Sequence, residues 1–231
     1  MGLEALGGLL EGSSAYQSVR RTLESSRGRT RAQVLANASP YVLADLWHSL
    51  DVPALVIAPR PEDARSLHEQ VLLWTDRDTE VLHFPETEVL PFERQVSDVD
   101  TTHQRLRVLT ALRKARKRPL AVVASAAAIA QRTIDAEAFA SQTHTLSSGD
   151  EVDLEELLDR WRRMGYQFEP TVYAPGFASR RGGIIDLYPV GSPEPARIEL
   201  WGNEIDTIRL FDPDTQRSTD IVDSIEVGPA R

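Results

Sequence analysis

Four side chains in the last quarter of the sequence have the types and spacing of a protein-recognition surface: Arg181, Arg197, Glu199 and Trp201. A guanidinium offers a planar fork that grips a carboxylate at two points and stays charged at any physiological pH, which lysine does not reproduce. Arginine and tryptophan are over-represented among residues that dominate interfaces, because they join large contact area to directional hydrogen bonds. Side chains of an extended chain alternate between faces, so Arg197, Glu199 and Trp201 would project together, opposite Ile198 and Leu200. The same spacing also fits solvated neighbours at 197 and 199 with Trp201 capping a small core. Arg209 and Arg180 are secondary candidates, although alternation would point Arg180 away from Arg181.

Other chemistry has weaker support. The histidines His48, His68, His83, His103 and His144 are scattered, with no pair at helical metal-ligand spacing and none beside a serine-nucleophile motif. Glu86, Glu88, Glu93, Asp98 and Asp100 read as solvated acids of a proline-containing loop rather than an acid–base pair. No cysteine is present, which excludes disulfides, thiolate metal sites and a thiol nucleophile. The expectation is therefore no catalytic residue, no metal and no cofactor. A formal charge of -9 argues against strong nonspecific DNA binding. The clearest basic cluster, Arg105, Arg107, Arg113, Lys114, Arg116, Lys117 and Arg118, fits the exposed side and C-terminal end of a helix. No apolar run approaches a membrane span and no secretory signal opens the chain, so a cytoplasmic location without membrane contact is expected.

The elements that must position the four side chains follow the strand period. Ile184, Ile185 and Leu187, then Ile198 and Leu200, then Ile205, Ile208 and Leu210 form short runs bounded by Gly, Pro or Asn, and Gly202-Asn203 is good hairpin chemistry. An antiparallel meander is expected. Before it, Val152, Leu154, Leu157, Leu158, Trp161 and Met164 mark an amphipathic helix. The first half alternates differently. Helical spacing at Val42, Leu43, Leu46 and Leu50 precedes the run Leu55 to Ala58, which reads as a buried parallel strand. A helix opened by Glu62 and Asp63 and carrying Leu67, Val71 and Trp74 comes next, then strands at Val81 to Phe84 and Leu120 to Ala124 with a Thr101 to Lys117 helix between them. This is the pattern of right-handed βαβ units. The polar stretch Gln142 to Asp150 places a boundary that gives domains 1–142 and 143–231.

Several blocks resemble, in order, the UvrB-homology module at the start of bacterial transcription-repair coupling factors (Mfd). They are Leu55 to Pro59, Phe84 to Glu93, Gln104-Arg105-Leu106, Leu109 to Leu112, Gly165-Tyr166, Pro175 to Phe177, Arg181 to Asp186, Pro195 to Glu199, Glu204 to Asp206, Ile208 to Asp212 and Gln216 to Ser218. The resemblance runs from about Leu35 to the C-terminus. It implies a degenerate helicase-like α/β domain, akin to a P-loop NTPase domain with a parallel sheet but without the phosphate loop, followed by a smaller β-rich α+β domain. In that family the second domain binds the excision-repair protein UvrA, copying the surface by which UvrB does so. The resemblance carries this role to Arg181 and Arg197, with Glu199 at an acidic contact position and Trp201 where the family usually has phenylalanine.

Where a phosphate loop would precede the Leu55 strand, the chain reads Ala36 to Tyr41, with neither glycine nor lysine. The expectation is a non-catalytic adaptor that recruits UvrA. By resemblance, the family's ATP-driven translocase and its contacts with DNA and RNA polymerase would lie beyond Arg231, making this a fragment that also meets the remaining domains of its own polypeptide. Two alternatives are an autoinhibitory module whose UvrA face is masked by those domains, and a UvrB-type ATP-dependent damage-binding subunit.

Overall fold

The structure, a computed structural model, describes residues 9–25, 28–75, 80–87, 99–114 and 120–231. In the first half these form α1 (Ser14–Glu24), α2 (Ser39–Leu50), β1 (Ala54–Ala58), α3 (Pro61–Leu72), β2 (Val81–Phe84), α4 (Val99–Arg113), β3 (Ala121–Ser125), α5 (Ala126–Ala130) and α6 (Ala136–Gln142). The second half forms β4 (His144–Ser147), α7 (Leu154–Met164), β5 (Gln167–Phe168), β6 (Phe177–Arg181), β7 (Ile184–Leu187), β8 (Ala196–Trp201), β9 (Glu204–Phe211), β10 (Ser218–Ile221) and β11 (Ser224–Val227).

The chain divides into two units, residues 1–86 with 114–131, and 87–113 with 132–231. The first is α/β. A parallel sheet of order β1-β3-β2 is closed by α2 and α3, whose Ala44, Trp47, Ala64 and Val71 share a core with Ala58, Val81, Ala121 and Val123. Helix α3 starts as its sequence suggests, with Pro61 at its first position and Glu62 and Asp63 in its first turn. In α2 the buried residues are Pro40, Ala44 and Trp47, while the apolar Val42, Leu43, Leu46 and Leu50 are only partly covered. The continuous apolar run of β1 does not make it a strand buried on both faces. It leaves Leu55 and Ile57, which alternate onto one face, exposed, whereas every residue of the central β3 is buried.

The second unit is β-rich. Its six-stranded sheet has the order β10-β9-β8-β7-β6-β5, antiparallel throughout except for the short β5-β6 pair. The expected meander is thus present. The chain leaves the sheet after Ile221, and β11 pairs antiparallel with β4. Helix α7 lays Leu157, Leu158, Trp161 and Met164 into the same core as Ile185, Ile198, Ile205 and Ile208. Asp153 caps its N-terminus by accepting from the Glu156 N–H at 3.0 Å, and Gly165 ends it at φ 100°.

The expected boundary at 142/143 falls inside this unit. Leu106 of α4 and Phe139 of α6 belong to the second core, and His103 lies 3.2 Å from the Ala230 carbonyl. The helix expected to lie between two strands of the parallel sheet therefore packs with the β-rich unit; its described span is Val99–Arg113, and Lys117, its expected end, lies outside the described residues.

Candidate protein-docking face

Strand register brings the predicted side chains together. Arg181 stands across from Ile184, Ile184 from Glu199 and Glu199 from Thr207. The next row runs Ser179, Asp186, Arg197, Arg209 and Ile221. Alternation puts both rows on one face, while Ile185, Ile198 and Ile208 fill the core on the other. The β8–β9 hairpin turns on Gly202, whose φ of 64° demands glycine although a Cβ would meet nothing there; Asn203 is not in the left-handed region.

At the middle of the face lies a carboxylate. The Asp186 side chain is 1% exposed and accepts from Arg197 Nε at 2.7 Å, Arg197 Nη2 at 2.9 Å and Arg181 Nη2 at 2.8 Å. The two arginines are not equivalent. Arg197 is 18% exposed and its guanidinium also sits 5.0 Å from the centre of the buried Phe211 ring, whereas Arg181 is 60% exposed. The hydrogen bonds to Asp186 raise the Arg197 pKa further above its ordinary value, outweighing its desolvation. Glu199 accepts from Thr207 Oγ1 at 3.3 Å and lies 4.0 Å from Arg209 Nε, both side chains of that pair being well exposed.

Trp201 is 83% exposed, so it does not cap a core. Ile184 and Ile221 are exposed on the same face. Arg180 takes the opposite direction: its Nη1 donates to Glu155 at 2.6 Å, at the first turn of α7.

The model of the UvrB interaction domain family matches residues 145–231. Curated transcription-repair-coupling factors are similar over more of the chain. The one from Bacillus subtilis (strain 168) is 38% identical over 154 residues, 67% of this chain and 13% of the relative. That of Myxococcus xanthus is 31% identical over 209 residues, 88% of this chain and 17% of the relative, and that of Staphylococcus aureus (strain USA300) is 30% identical over 194 residues, 84% and 16%. The chain belongs with the transcription-repair-coupling factors. The chain spans only 13 to 17% of the length of these relatives.

All six candidate residues, Arg180, Arg181, Arg197, Glu199, Trp201 and Arg209, fall within the stretch that matches the UvrB interaction domain model, and five share one face of its sheet. Asp186, which binds two of them, has no role in the sequence reading. The signal for it was a lone carboxylate in the apolar strand Ile184–Leu187, but its partners become visible only once the strands are in register.

The remaining candidates have structural surroundings. His68 contacts the Val81 carbonyl at 3.1 Å, and His144 Nε2 accepts from the Trp161 indole at 3.1 Å. Burial, reinforced by the Arg160 charge, pushes the His144 pKa down to about 4, and burial lowers that of His103. Glu86 accepts from Ser125 Oγ at 3.0 Å; Glu88, Glu93 and Asp98 lie outside the described residues. Among the described residues, no three His, Asp or Glu side chains gather so as to hold a metal ion, and no helix is long and apolar enough to cross a membrane. In the basic cluster Arg105 is buried instead of lining the exposed side; Arg107, Arg113 and Lys114 are exposed, and Arg116, Lys117 and Arg118 lie outside the described residues.

Proposed function

We propose that the chain is a non-catalytic adaptor of transcription-coupled excision repair that recruits UvrA through the exposed sheet face of its UvrB interaction domain. The observation that carries this reading is Trp201, an indole 83% exposed on a sheet face that also presents the Arg181 guanidinium. Large apolar side chains at such exposure mark interaction sites when they cluster with others, and here the exposed Ile184 stands across from Glu199, two residues from Trp201 on β8. Aromatic and arginine anchors of this kind supply most of the energy of protein interfaces.

The adaptor needs no cofactor and no catalytic residue. RNA polymerase, DNA and ATP would be handled by other parts of a full-length transcription-repair-coupling factor. Titration calorimetry of the chain against purified UvrA tests the reading. Binding should weaken about tenfold or more in Arg181→Ala and in Trp201→Ala, as for interface hot spots, with circular dichroism unchanged. Tight binding untouched by either substitution, or no binding of the wild type, would sink it.

A further inference from the structure

Resting on that docking reading, we infer that Asp186 is a positioning residue of the face: its buried carboxylate clamps Arg197 onto the sheet and anchors one end of the Arg181 fork, so that Arg181 meets a partner carboxylate in one orientation. A carboxylate 1% exposed has almost no water to satisfy it and must be paired. Arg197 alone meets that need, with Nε on Oδ1 and Nη2 on Oδ2. The Arg181 contact on Oδ2 is therefore more than the buried charge requires. It comes from the more exposed of the two arginines, which keeps most of its surface open.

This division separates two roles. Arg197, pinned between Asp186 and the Phe211 ring, has little surface to offer a partner. Arg181 has surface but, as a long flexible side chain, would lose rotamer freedom on binding. Tethering one Nη2 in advance removes part of that loss and leaves the outer edge of the guanidinium available. The charges agree: two guanidiniums share one carboxylate, and Glu199 has Arg209 and Thr207 beside it. The uncompensated positive charge is thus on Arg181, and the group that fits it is a carboxylate.

The test is a double-mutant cycle on UvrA binding by the whole chain. Asp186→Asn alone leaves Arg197 buried and unpaired, so the working variant is Asp186→Asn with Arg197→Gln, a neutral pair that keeps hydrogen bonding; thermal melts confirm folding. Arg181→Ala and the neutral pair should each weaken binding about tenfold, and the triple variant should be no more than about twofold weaker than Arg181→Ala. Effects that multiply in the triple variant would overturn the inference, because Asp186 and Arg197 would then act without Arg181. So would a neutral pair that binds as wild type while Arg181→Ala does not. Arg181→Ala binding as wild type would refute the docking reading itself. A readout without the partner checks the clamp: hydrogen exchange at the Arg197 Nε–H should be slow by NMR, and exchange as fast as that of a solvated arginine would overturn the inference.

Discussion

Truncating Trp201 separates recognition from folding. With 83% of the residue exposed, Trp201→Ala removes few native contacts, so its stability should stay within about 0.5 kcal/mol of wild type, the range of surface substitutions. Binding is another matter. An indole offers up to roughly 250 Å² of surface, so about 200 Å² remains for a partner to cover, worth at most about 5 kcal/mol at about 25 cal/mol per Å². Losses from ordering and imperfect pairing bring the expected effect to about 2–3 kcal/mol, thirtyfold or more in affinity. Trp201→Phe should recover much of it, since a second aromatic keeps most of the apolar area. Calorimetry with UvrA gives the affinity and urea denaturation gives the stability, on the same preparations. An affinity within twofold of wild type would refute the reasoning from exposure to docking. A loss of stability comparable to the loss of affinity would also refute it, by showing Trp201 to be a folding residue.

Asp186→Ala should destabilise the chain by about 3–5 kcal/mol, because it leaves the mostly buried Arg197 without its counter-charge, whereas Arg181→Ala should change stability by no more than about 1 kcal/mol; urea midpoints compare the two. Protonating His144 removes the acceptor for the Trp161 indole, and since its folded pKa of about 4 lies below the ordinary histidine value, the unfolded chain binds the extra proton first. Stability contributed by the neutral ring is therefore complete above about pH 6.5 and is lost as pH falls toward 4, by on the order of 1–2 kcal/mol; His103 adds a change of the same sign, and melts of His144→Gln should show a shallower acid loss. Gly191→Ala should cost about 1–3 kcal/mol, since Gly191 adopts φ 94° and a Cβ would sit 2.9 Å from Thr110 Oγ1 on α4; a wild-type melting temperature would contradict the packing of α4 in the β-rich unit.

Where a feature depends on its own neighbours, the sequence shows it plainly. Helix α7 has its Asp153 cap, its apolar stripe ending at Met164 and its Gly165 stop within one short stretch, and the meander follows from runs of period two. Features that depend on distant partners are not legible in this way. The buried residues of α4 are Arg105, Leu106, Val108, Thr110 and Ala111, a mixture with no clean apolar stripe, so nothing in it says which core it joins, and the boundary at 142/143 followed from polar composition alone. An apolar run such as β1 reads the same whether one face or both are covered, yet here Leu55 and Ile57, which alternate onto one face, are exposed. The candidate face was legible as a set of side chains sharing a side. Its internal order was not, because the ranking of Arg181 over Arg197 rests on the register that places Asp186 opposite Arg197.

That ranking has a consequence for salt. Added salt shortens the Debye length from about 8 Å at 0.15 M to about 3 Å at 1 M and screens exposed charges far more than buried ones. The Asp186–Arg197 pair, with side chains 1% and 18% exposed, should hold the sheet together across this range, while the attraction between Arg181 and a partner carboxylate should fade. The expected pattern is a UvrA affinity that falls steadily with salt, at constant thermal stability of the chain, and a much flatter dependence in Arg181→Ala. If Arg181→Ala kept the wild-type salt slope, the charge that meets the partner would be elsewhere. If stability fell in step with affinity, the ion pair at Asp186 would be as open to solvent as Arg181, and the distinction between the arginine that anchors and the arginine that binds would be lost.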